Sequence, residues 1–296
     1  DTASERSHER KFMRTWLAEF RRSLKVRPAP ELVNFALFRP LGFLVARSFL
    51  RTPVRPTDLA VAHAVLGLCA ASLIARGADR LAALLLQAVT VLDNADGQLA
   101  RLRGEETELG RYLDTELDAA VNLALFAAVA ARTGQRCRSL AAFTVLTLLL
   151  SWDFNVEYLY RSARGEVFRP ELSDRDGWRL ALTRWIYRIV YTPQDQAIRW
   201  LETKLLALAA RSDPNRAEVA QRWWDRWVTF AGANLGLSTQ YAWLGVFLWR
   251  QRLAKYPSFV LSQLLVPLVV TVGRWLLVRR VLGGRLLGSR SRPEND

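Results

Sequence analysis

Four aspartates in two closely spaced pairs are the residues of this chain best suited to chemistry. Asp93 and Asp96 lie three residues apart, and Asp114 and Asp118 lie four residues apart. On α-helices, each pair shares one face. Each pair also lies in or beside an apolar segment, where an unpaired carboxylate is costly and usually functional. Crowded carboxylates either take up protons or bind cations, and hard divalent ions prefer such oxygen ligands.

The helices that carry the two pairs must bring them together. The connection after Arg101 is short, which predicts two antiparallel neighbouring helices. At 1.5 Å per residue, Asp93 lies about 12 Å from Arg101 and Asp118 about 10 Å from Arg111, so both pairs fall at a similar depth. The spacing predicts one site for one or two magnesium, manganese or calcium ions, with Asp114 as a bridging ligand.

Small residues and one arginine accompany the first pair. Gly97 and Ala100 continue the helix face of Asp93 and Asp96. Gly97 lets a phosphate or a base approach the backbone closely, and Arg101 can reach a diphosphate oxygen from the last helical turn. These residues predict a nucleotide diphosphate substrate.

The composition predicts an all-α integral membrane protein. Hydrophobic residues make up 51% of the 296 residues, but the mean hydropathy is only +0.02, so apolar and charged stretches alternate. Six stretches hold the roughly twenty apolar residues that cross a bilayer. They are 58–76, 81–101, 111–132, 140–160, 227–249 and 257–278. A seventh, 31–50, contains Arg39, Pro40 and Arg47 and is predicted to lie in the membrane interface.

The net charge of +14 predicts contact with anionic membrane lipids and no nucleic acid, because no folded basic domain is visible. Lysine and arginine concentrate in residues 1–57, in 161–226 and after residue 278. By the positive-inside rule, both termini and the aspartate site face the cytoplasm of a multi-pass protein in the inner or plasma membrane.

The predicted organisation has three parts. They are a cytoplasmic and interfacial segment of residues 1–57, a six-helix catalytic domain of residues 58–282 and a disordered tail of residues 283–296. In the first part, apolar residues between Glu9 and Arg27 recur at helical spacing among basic ones, which predicts an amphipathic helix on the membrane surface.

A polar insert, residues 161–226, lies within the catalytic domain and is too charged to cross a membrane. Two apolar stripes predict two amphipathic cytoplasmic helices, the second beginning near Pro193.

Polar residues at helical spacing lead into this insert. They are Asp153, Glu157, Arg161 and Arg164. Arg161 and Arg164 are candidates for binding the head group of an acceptor; alternatively, Glu157 and Arg161 form an internal ion pair.

The motif D-x-x-D-G-x-x-A-R-x(8)-G-x-x-x-D-x-x-x-D between Asp93 and Asp118 resembles the signature of the CDP-alcohol phosphotransferase family. Every fixed position is filled. The six-span plan and the basic N-terminal helix also resemble the family, whereas the long insert departs from its compact core.

The resemblance implies a transferase of phospholipid biosynthesis. An acceptor hydroxyl would attack the phosphate of a CDP-linked alcohol and expel CMP. CDP-diacylglycerol is the preferred donor, and the alternative is a CDP-choline or CDP-ethanolamine donor with a lipid acceptor. The family is typically homodimeric, which implies a homodimer here.

The resemblance also implies individual roles. The metal ligands for Mg²⁺ or Mn²⁺ would be Asp93, Asp96, Asp114 and Asp118. Asp118 would also act as the general base. The positions that line the CDP pocket are matched by Gly97, Ala100 and Arg101. Asp58 resembles part of a segment that borders the nucleotide; alternatively, Thr57 or Asp58 is a helix N-cap.

Two rival functions use the same residues differently. A divalent cation transporter would use the aspartates as a transport site. A transporter has no evident need for a small-residue face beside Arg101. Broken helices are usual around transport sites, and none is predicted here. A non-catalytic scaffold does not explain the carboxylates at membrane depth.

Other polar and aromatic residues receive structural interpretations. His63, inside the first apolar stretch, is interpreted as a packing residue and not as a ligand. Arg274 pairs with a carboxylate or phosphate, or extends to the interface. Trp223, Trp224 and Trp227 are predicted to form an aromatic belt.

Overall fold

A computed structural model describes residues 14–169, 172, 177–210 and 216–290, with side chains up to residue 279. In these ranges the chain is mainly helical and contains no strand. A π-helical turn, Asn34–Phe38, precedes the second helix. The helices are α1 (14–23), α2 (Arg39–Phe49), α3 (Pro56–Ala75), α4 (Asp79–Arg103), α5 (Glu108–Thr133), α6 (Arg136–Ser162), α7 (Trp178–Ala210), α8 (Arg216–Trp223), α9 (Arg226–Ala233), α10 (Leu237–Trp249), α11 (Tyr256–Ser262) and α12 (Leu265–Arg290).

Three segments of the described chain are long and apolar enough to cross a membrane. They are Pro56–Ala75, Arg136–Ser162 and Leu253–Arg279. Helices α4 and α5, of 25 and 26 residues, have the length of a span, but their charged residues lower their hydropathy. The count of six spans therefore stays a prediction.

The fifth predicted span is divided into α9 and α10, so the prediction that no helix is broken is wrong. A long-range contact supports the start of α10. The buried carboxylate of Glu31 accepts hydrogen bonds from the backbone N–H and the hydroxyl of Thr239, at 2.9 and 2.8 Å. This carboxylate satisfies a donor that a new helix N-terminus leaves without an intrahelical partner.

The insert differs from its prediction, because α7 runs unbroken through Pro193 instead of forming two helices. Contacts that follow the proline hold the helix in place. Gln194 donates to the backbone oxygen of Thr147 at 2.7 Å, and Asp195 accepts from Ser151 at 2.6 Å. Tertiary hydrogen bonds thus offset the backbone bond that the proline cannot make.

Trp223 and Trp224 lie in the interior and do not form the predicted aromatic belt. Their exposed fractions are 0% and 6%, and both indole N–H groups donate to the Glu202 carboxylate. Arg274 makes two hydrogen bonds to the same carboxylate, at 2.7 and 2.8 Å. Of the two interpretations of Arg274, pairing with a carboxylate is the one that the structure shows.

The two ends of the chain also differ in part from the sequence prediction. Helix α1 packs on the protein, since Trp16 and Phe20 place their rings 5.2 and 5.3 Å from that of Phe43. A membrane-surface location for α1 stays a prediction, and its residues before 14 lie outside the described chain. Helix α12 continues to Arg290, so the first part of the predicted disordered tail is helical.

Helix α3 packs against both α4 and α5, and these two make few direct contacts. The sequence predicted instead that α4 and α5 would pack against each other. A small residue allows the close approach of α3 to α5. A Cβ atom on Gly67 would lie 2.5 Å from Cγ1 of Val121. The site between α4 and α5 is therefore bridged by α3.

Gly67→Ala should lower the free energy of unfolding by about 1–3 kcal/mol, because the added methyl group overpacks the contact between α3 and α5. Thermal unfolding in detergent measures the change. Gly273→Ala is the matched control, since a Cβ atom there would lie 3.5 Å from Trp227, an ordinary contact. Equal melting temperatures for the two variants would contradict the prediction.

Candidate metal centre

Four side chains from three helices converge in the space between α4 and α5. They are His63 of α3, Asp93 and Asp96 of α4, and Asp114 of α5. One ligand atom from each lies within 4.8 Å of the others. His63 and Asp96 are buried, and the other two are half-buried. Ligand atoms this close together can coordinate one cation.

Polar atoms of this site lack hydrogen-bond partners within the described part of the chain. They are both imidazole nitrogens of His63, Oδ2 of Asp96, Oδ1 of Asp114 and Oδ1 of Asp118. Buried polar atoms in folded proteins are nearly always paired. A divalent cation would satisfy carboxylate oxygens and an imidazole nitrogen together, so the residues fit Mg²⁺ or Mn²⁺.

Asp118 lies beside this cluster and is not one of its four members. Its Oδ1 is 3.4 Å from Nε2 of His63, while Oδ2 of Asp96 is 3.7 Å from Nδ1 on the other side of the ring. The Asp118 side chain is 24% exposed, whereas that of His63 is 1% exposed. Asp118 thus lies at the more open edge of the cluster, and its role as a general base stays a prediction.

His63 is the member that the sequence interpretation did not include. It was interpreted as a packing residue because a lone histidine in an apolar helix carries no spacing signal. One signal in the sequence was that His63 is the ionisable residue in the interior of the first apolar stretch, where such residues are usually functional.

Gly97 and Arg101 lie against each other next to the cluster. A Cβ atom on Gly97 would lie 3.2 Å from a guanidinium nitrogen of Arg101, so the missing side chain makes room for that group. Arg101 also donates to the backbone oxygen of Ser23, the last residue of α1. Ala100 is half-buried on the same helix. The guanidinium is thereby held at the last turn before the end of α4.

Arg161 takes part in the internal ion pair that the sequence offered as an alternative. Its Nε lies 3.2 Å from Glu157, and it donates to the backbone oxygen of Val26 at 2.8 Å. Arg27 bridges Glu157 and Asp153 at 3.0 and 2.6 Å. These charges largely neutralise one another, and an acceptor-binding role for Arg161 stays a prediction.

Arg164 and Asp58 are also engaged within the protein. Arg164 donates to the backbone oxygens of Tyr160 and Trp224, at 3.0 and 2.9 Å. Asp58 accepts from the backbone N–H of Arg55 at 2.9 Å and closes a capping box at the start of α3. Both contacts are structural, and substrate roles for these two residues stay predictions.

Arginines gather on the side of the site nearest the N-terminal segment. Burial and the neighbouring guanidinium of Arg27 lower the pKa of Arg39, and Arg101 acts on Arg39 in the same direction. Glu31 and Glu157 act on the pKa of Arg39 in the opposite direction, and an anion between the arginines would do the same. The arrangement suits a bound phosphate or diphosphate.

Comparison with known proteins finds a family model and a relative that are similar to this chain. The family model described as CDP-alcohol phosphatidyltransferase matches residues 54–168. The "Bifunctional IPC transferase and DIPP synthase" of Rubrobacter xylanophilus is 31% identical over 105 residues, which are 35% of this chain and 24% of that protein. The chain thus spans about a quarter of the length of this relative.

The matched residues contain α3 to α6, all four aspartates of the motif and His63. Helix α7, within the insert, lies beyond the match. Residues 54–168 of this chain are therefore similar to the CDP-alcohol phosphatidyltransferase family.

Proposed function

We propose that the protein is an integral membrane CDP-alcohol phosphotransferase with six spans and a cytoplasmic active site. It moves a phosphatidyl or other substituted phosphate group from a CDP-linked alcohol to a hydroxyl acceptor and releases CMP. The observation that carries this proposal is the convergence of three motif aspartates whose buried oxygens include atoms without a hydrogen-bond partner in the described chain.

The residues of the site have separable tasks in this reaction. Asp93, Asp96 and Asp114 would hold one or two divalent ions. When bound, such an ion supplies positive charge that stabilises negatively charged phosphate oxygens. Arg101 binds a phosphate oxygen of the donor from the end of α4. Asp118 takes the proton of the attacking hydroxyl.

The bond changes follow from this placement. The acceptor oxygen forms a bond to the phosphorus distal to cytidine. The bond between that phosphorus and the bridging oxygen breaks, and CMP leaves with the electron pair. CDP-diacylglycerol is the first donor to test, within phospholipid synthesis, and a CDP-linked choline or ethanolamine with a lipid acceptor is the second. A homodimer and contact with anionic lipids also belong to this proposal.

The test is CMP release by the purified protein in lipid micelles with Mg²⁺ or Mn²⁺, across a panel of CDP-linked donors and hydroxyl acceptors. Release that requires both a donor and a divalent ion would support the proposal. The division of α9 from α10 removes one argument against a cation transporter, since transport sites often adjoin broken helices. Ion uptake into vesicles without CMP release from any donor would favour the transporter.

His63 should coordinate the bound ion through an imidazole nitrogen. Mn²⁺ bound to the wild-type protein is expected to show nitrogen modulation by electron spin-echo spectroscopy. His63→Gln should remove this signal and weaken Mn²⁺ binding by about tenfold or more. His8→Gln is the matched control, because the chain contains two histidines. A wild-type spectrum without nitrogen modulation would show that the imidazole pairs with Asp96 and Asp118 instead.

A further inference from the structure

Helix α7 forms one wall of a cavity that begins at Asp118. The cavity has a volume of about 240 Å³ and lies between α5, α6 and α7. Asp118 and Asn122 line it from α5, and Leu146 and Leu150 from α6. Tyr187 and Tyr191, together with neighbouring residues, line it from α7. A segment outside the matched family residues thus encloses the space beside the proposed base.

Most polar groups of the α7 wall make hydrogen bonds within the protein. Asp195 accepts from Ser151, Asn155 and Tyr187, at 2.6, 2.7 and 3.2 Å. Tyr191 donates to the backbone oxygen of Thr115 at 3.3 Å. These groups have little remaining capacity for a polyol, so the wall offers mainly ring and aliphatic surface to a ligand.

Two of the charged residues that line the cavity are Arg169 and Asp118. Arg169 is the cation among the described lining residues, and its guanidinium lies over the rings of Phe154 and Phe168, at 4.8 and 5.2 Å. Asp118 has a carboxylate oxygen without a hydrogen-bond partner in the described chain. A ligand would therefore meet a hydrogen-bond acceptor at Asp118, the Arg169 guanidinium beside aromatic rings, and mainly apolar surface elsewhere.

We infer that this cavity binds the acceptor, and that the acceptor is an alcohol with an apolar body attached to its hydroxyl group. The inference rests on the proposed function and gives its substrate class. The acceptor hydroxyl lies at Asp118, which takes its proton as the oxygen bonds to the donor phosphorus and CMP leaves. A cavity of 150 Å³ holds a benzene ring, so this one has room for about ten non-hydrogen atoms.

Ion pairs attach helix α7 to the rest of the protein both before and after its cavity-lining residues. Arg184, before them, makes an ion pair with Glu108 at the start of α5, at 2.6 Å. Glu202, after them, pairs with Arg274 of α12 at 2.7 Å. The cavity is therefore held open by contacts distinct from its lining.

The test uses CMP release with the donor that works best in the panel, and 1-alkanols from ethanol to dodecanol as acceptors. The acceptor arms for comparison are glycerol, glycerol 3-phosphate and myo-inositol. The kcat/KM for alkanols should rise about threefold to fourfold per methylene and stop rising once the cavity is full. Partition into the micelle gives a similar slope, so the chain length at which the rise ends is the informative quantity.

If the alkyl chain of the acceptor lies in the cavity, two variants of Leu150 should move the limiting alkanol length in opposite directions. Leu150→Trp should shorten the limiting alkanol by about two carbon atoms, and Leu150→Ala should lengthen it by a similar amount. Leu148→Trp is the matched control on the same helix, because Leu148 is 40% exposed and does not line the cavity. The limiting alkanol of Leu148→Trp should have the same length as that of the wild type.

The outcomes separate this inference from the function on which it rests. Shifted limits in both Leu150 variants would support it. CMP release that is stimulated by glycerol, glycerol 3-phosphate or myo-inositol and not by alkanols would overturn the inference and leave the proposed function standing. A limit that is unchanged in both Leu150 variants would also overturn it. No CMP release from any donor would overturn the function and the inference together.

Discussion

The Asp118→Asn variant is expected to release CMP about 10²–10⁴-fold more slowly than the wild type while binding Mn²⁺ with similar affinity. The reason is geometric. Asp118 lies outside the group of four ligand atoms that approach one another within 4.8 Å, but its Oδ1 is 3.4 Å from His63. The amide keeps the shape of the side chain and cannot accept the hydroxyl proton. CMP release and Mn²⁺ titration on the same preparation provide the two measurements.

Asp114→Asn provides the comparison, because it removes a carboxylate of the cluster itself. It should weaken Mn²⁺ binding as well as CMP release. Glu116→Gln is the control on the same helix, at a variable position of the motif, and should leave both close to the wild type. If Asp118→Asn weakens Mn²⁺ binding as much as Asp114→Asn does, then Asp118 is a metal ligand and its role as a separate base is wrong.

The meeting of the aspartates could be predicted from the sequence because it depends on local geometry. A helical repeat places Asp93 and Asp96 on one face, and a short connection returns the chain to the depth of Asp114. The structure brings these three together, as the spacing predicted. The helical class of the described residues follows from the same apolar periodicity.

The position of His63 could not be predicted in this way. It depends on α3 packing between α4 and α5, which is a property of the tertiary arrangement. Gly67 permits that packing, but a glycine within an apolar helix does not by itself indicate which helix packs against it. The sequence therefore predicted the acidic residues of the site and not the position of the histidine.

Long-range polar contacts explain the other differences. Glu31 lies more than two hundred residues before Thr239, yet its carboxylate supports the start of α10. Gln194 and Asp195 keep α7 helical beyond Pro193 through bonds to α6. Local propensity predicted a continuous span in the first case and a helix boundary in the second. In both cases the structure shows a polar contact with a segment distant in sequence, which local propensity does not reveal.

Long-range polar contacts also connect the insert to the rest of the protein around the proposed acceptor cavity. The sequence left the role of residues 161–226 open because their charge pattern resembles that of many surface helices. In the structure, buried polar residues of α7 face the core. Asp195 is 6% exposed and Glu202 is 2% exposed. A helix on the protein surface does not need buried carboxylates. A helix that forms a fixed wall of a cavity needs them for its contacts with the core.

Glu202→Gln is expected to lower the free energy of unfolding by about 3–5 kcal/mol. Glu202 accepts two hydrogen bonds from Arg274, which is 0% exposed, and one from Trp152 at 3.0 Å. Neutralising the carboxylate leaves a buried guanidinium without its counter-charge. Thermal and denaturant unfolding in detergent measure the loss, which should exceed that of any exposed ion pair.

Glu218→Gln is the matched control, since Glu218 pairs with Arg222 at 2.9 Å on the exposed side of α8. Its effect should stay below about 1 kcal/mol. The double variant Glu202→Leu with Arg274→Met should be more stable than Glu202→Gln, because removing both charges leaves none uncompensated. If Glu202→Gln melts like the wild type, the pair does not hold α7 against α12. The cavity wall would then depend on Asp195 and on the pair of Arg184 with Glu108.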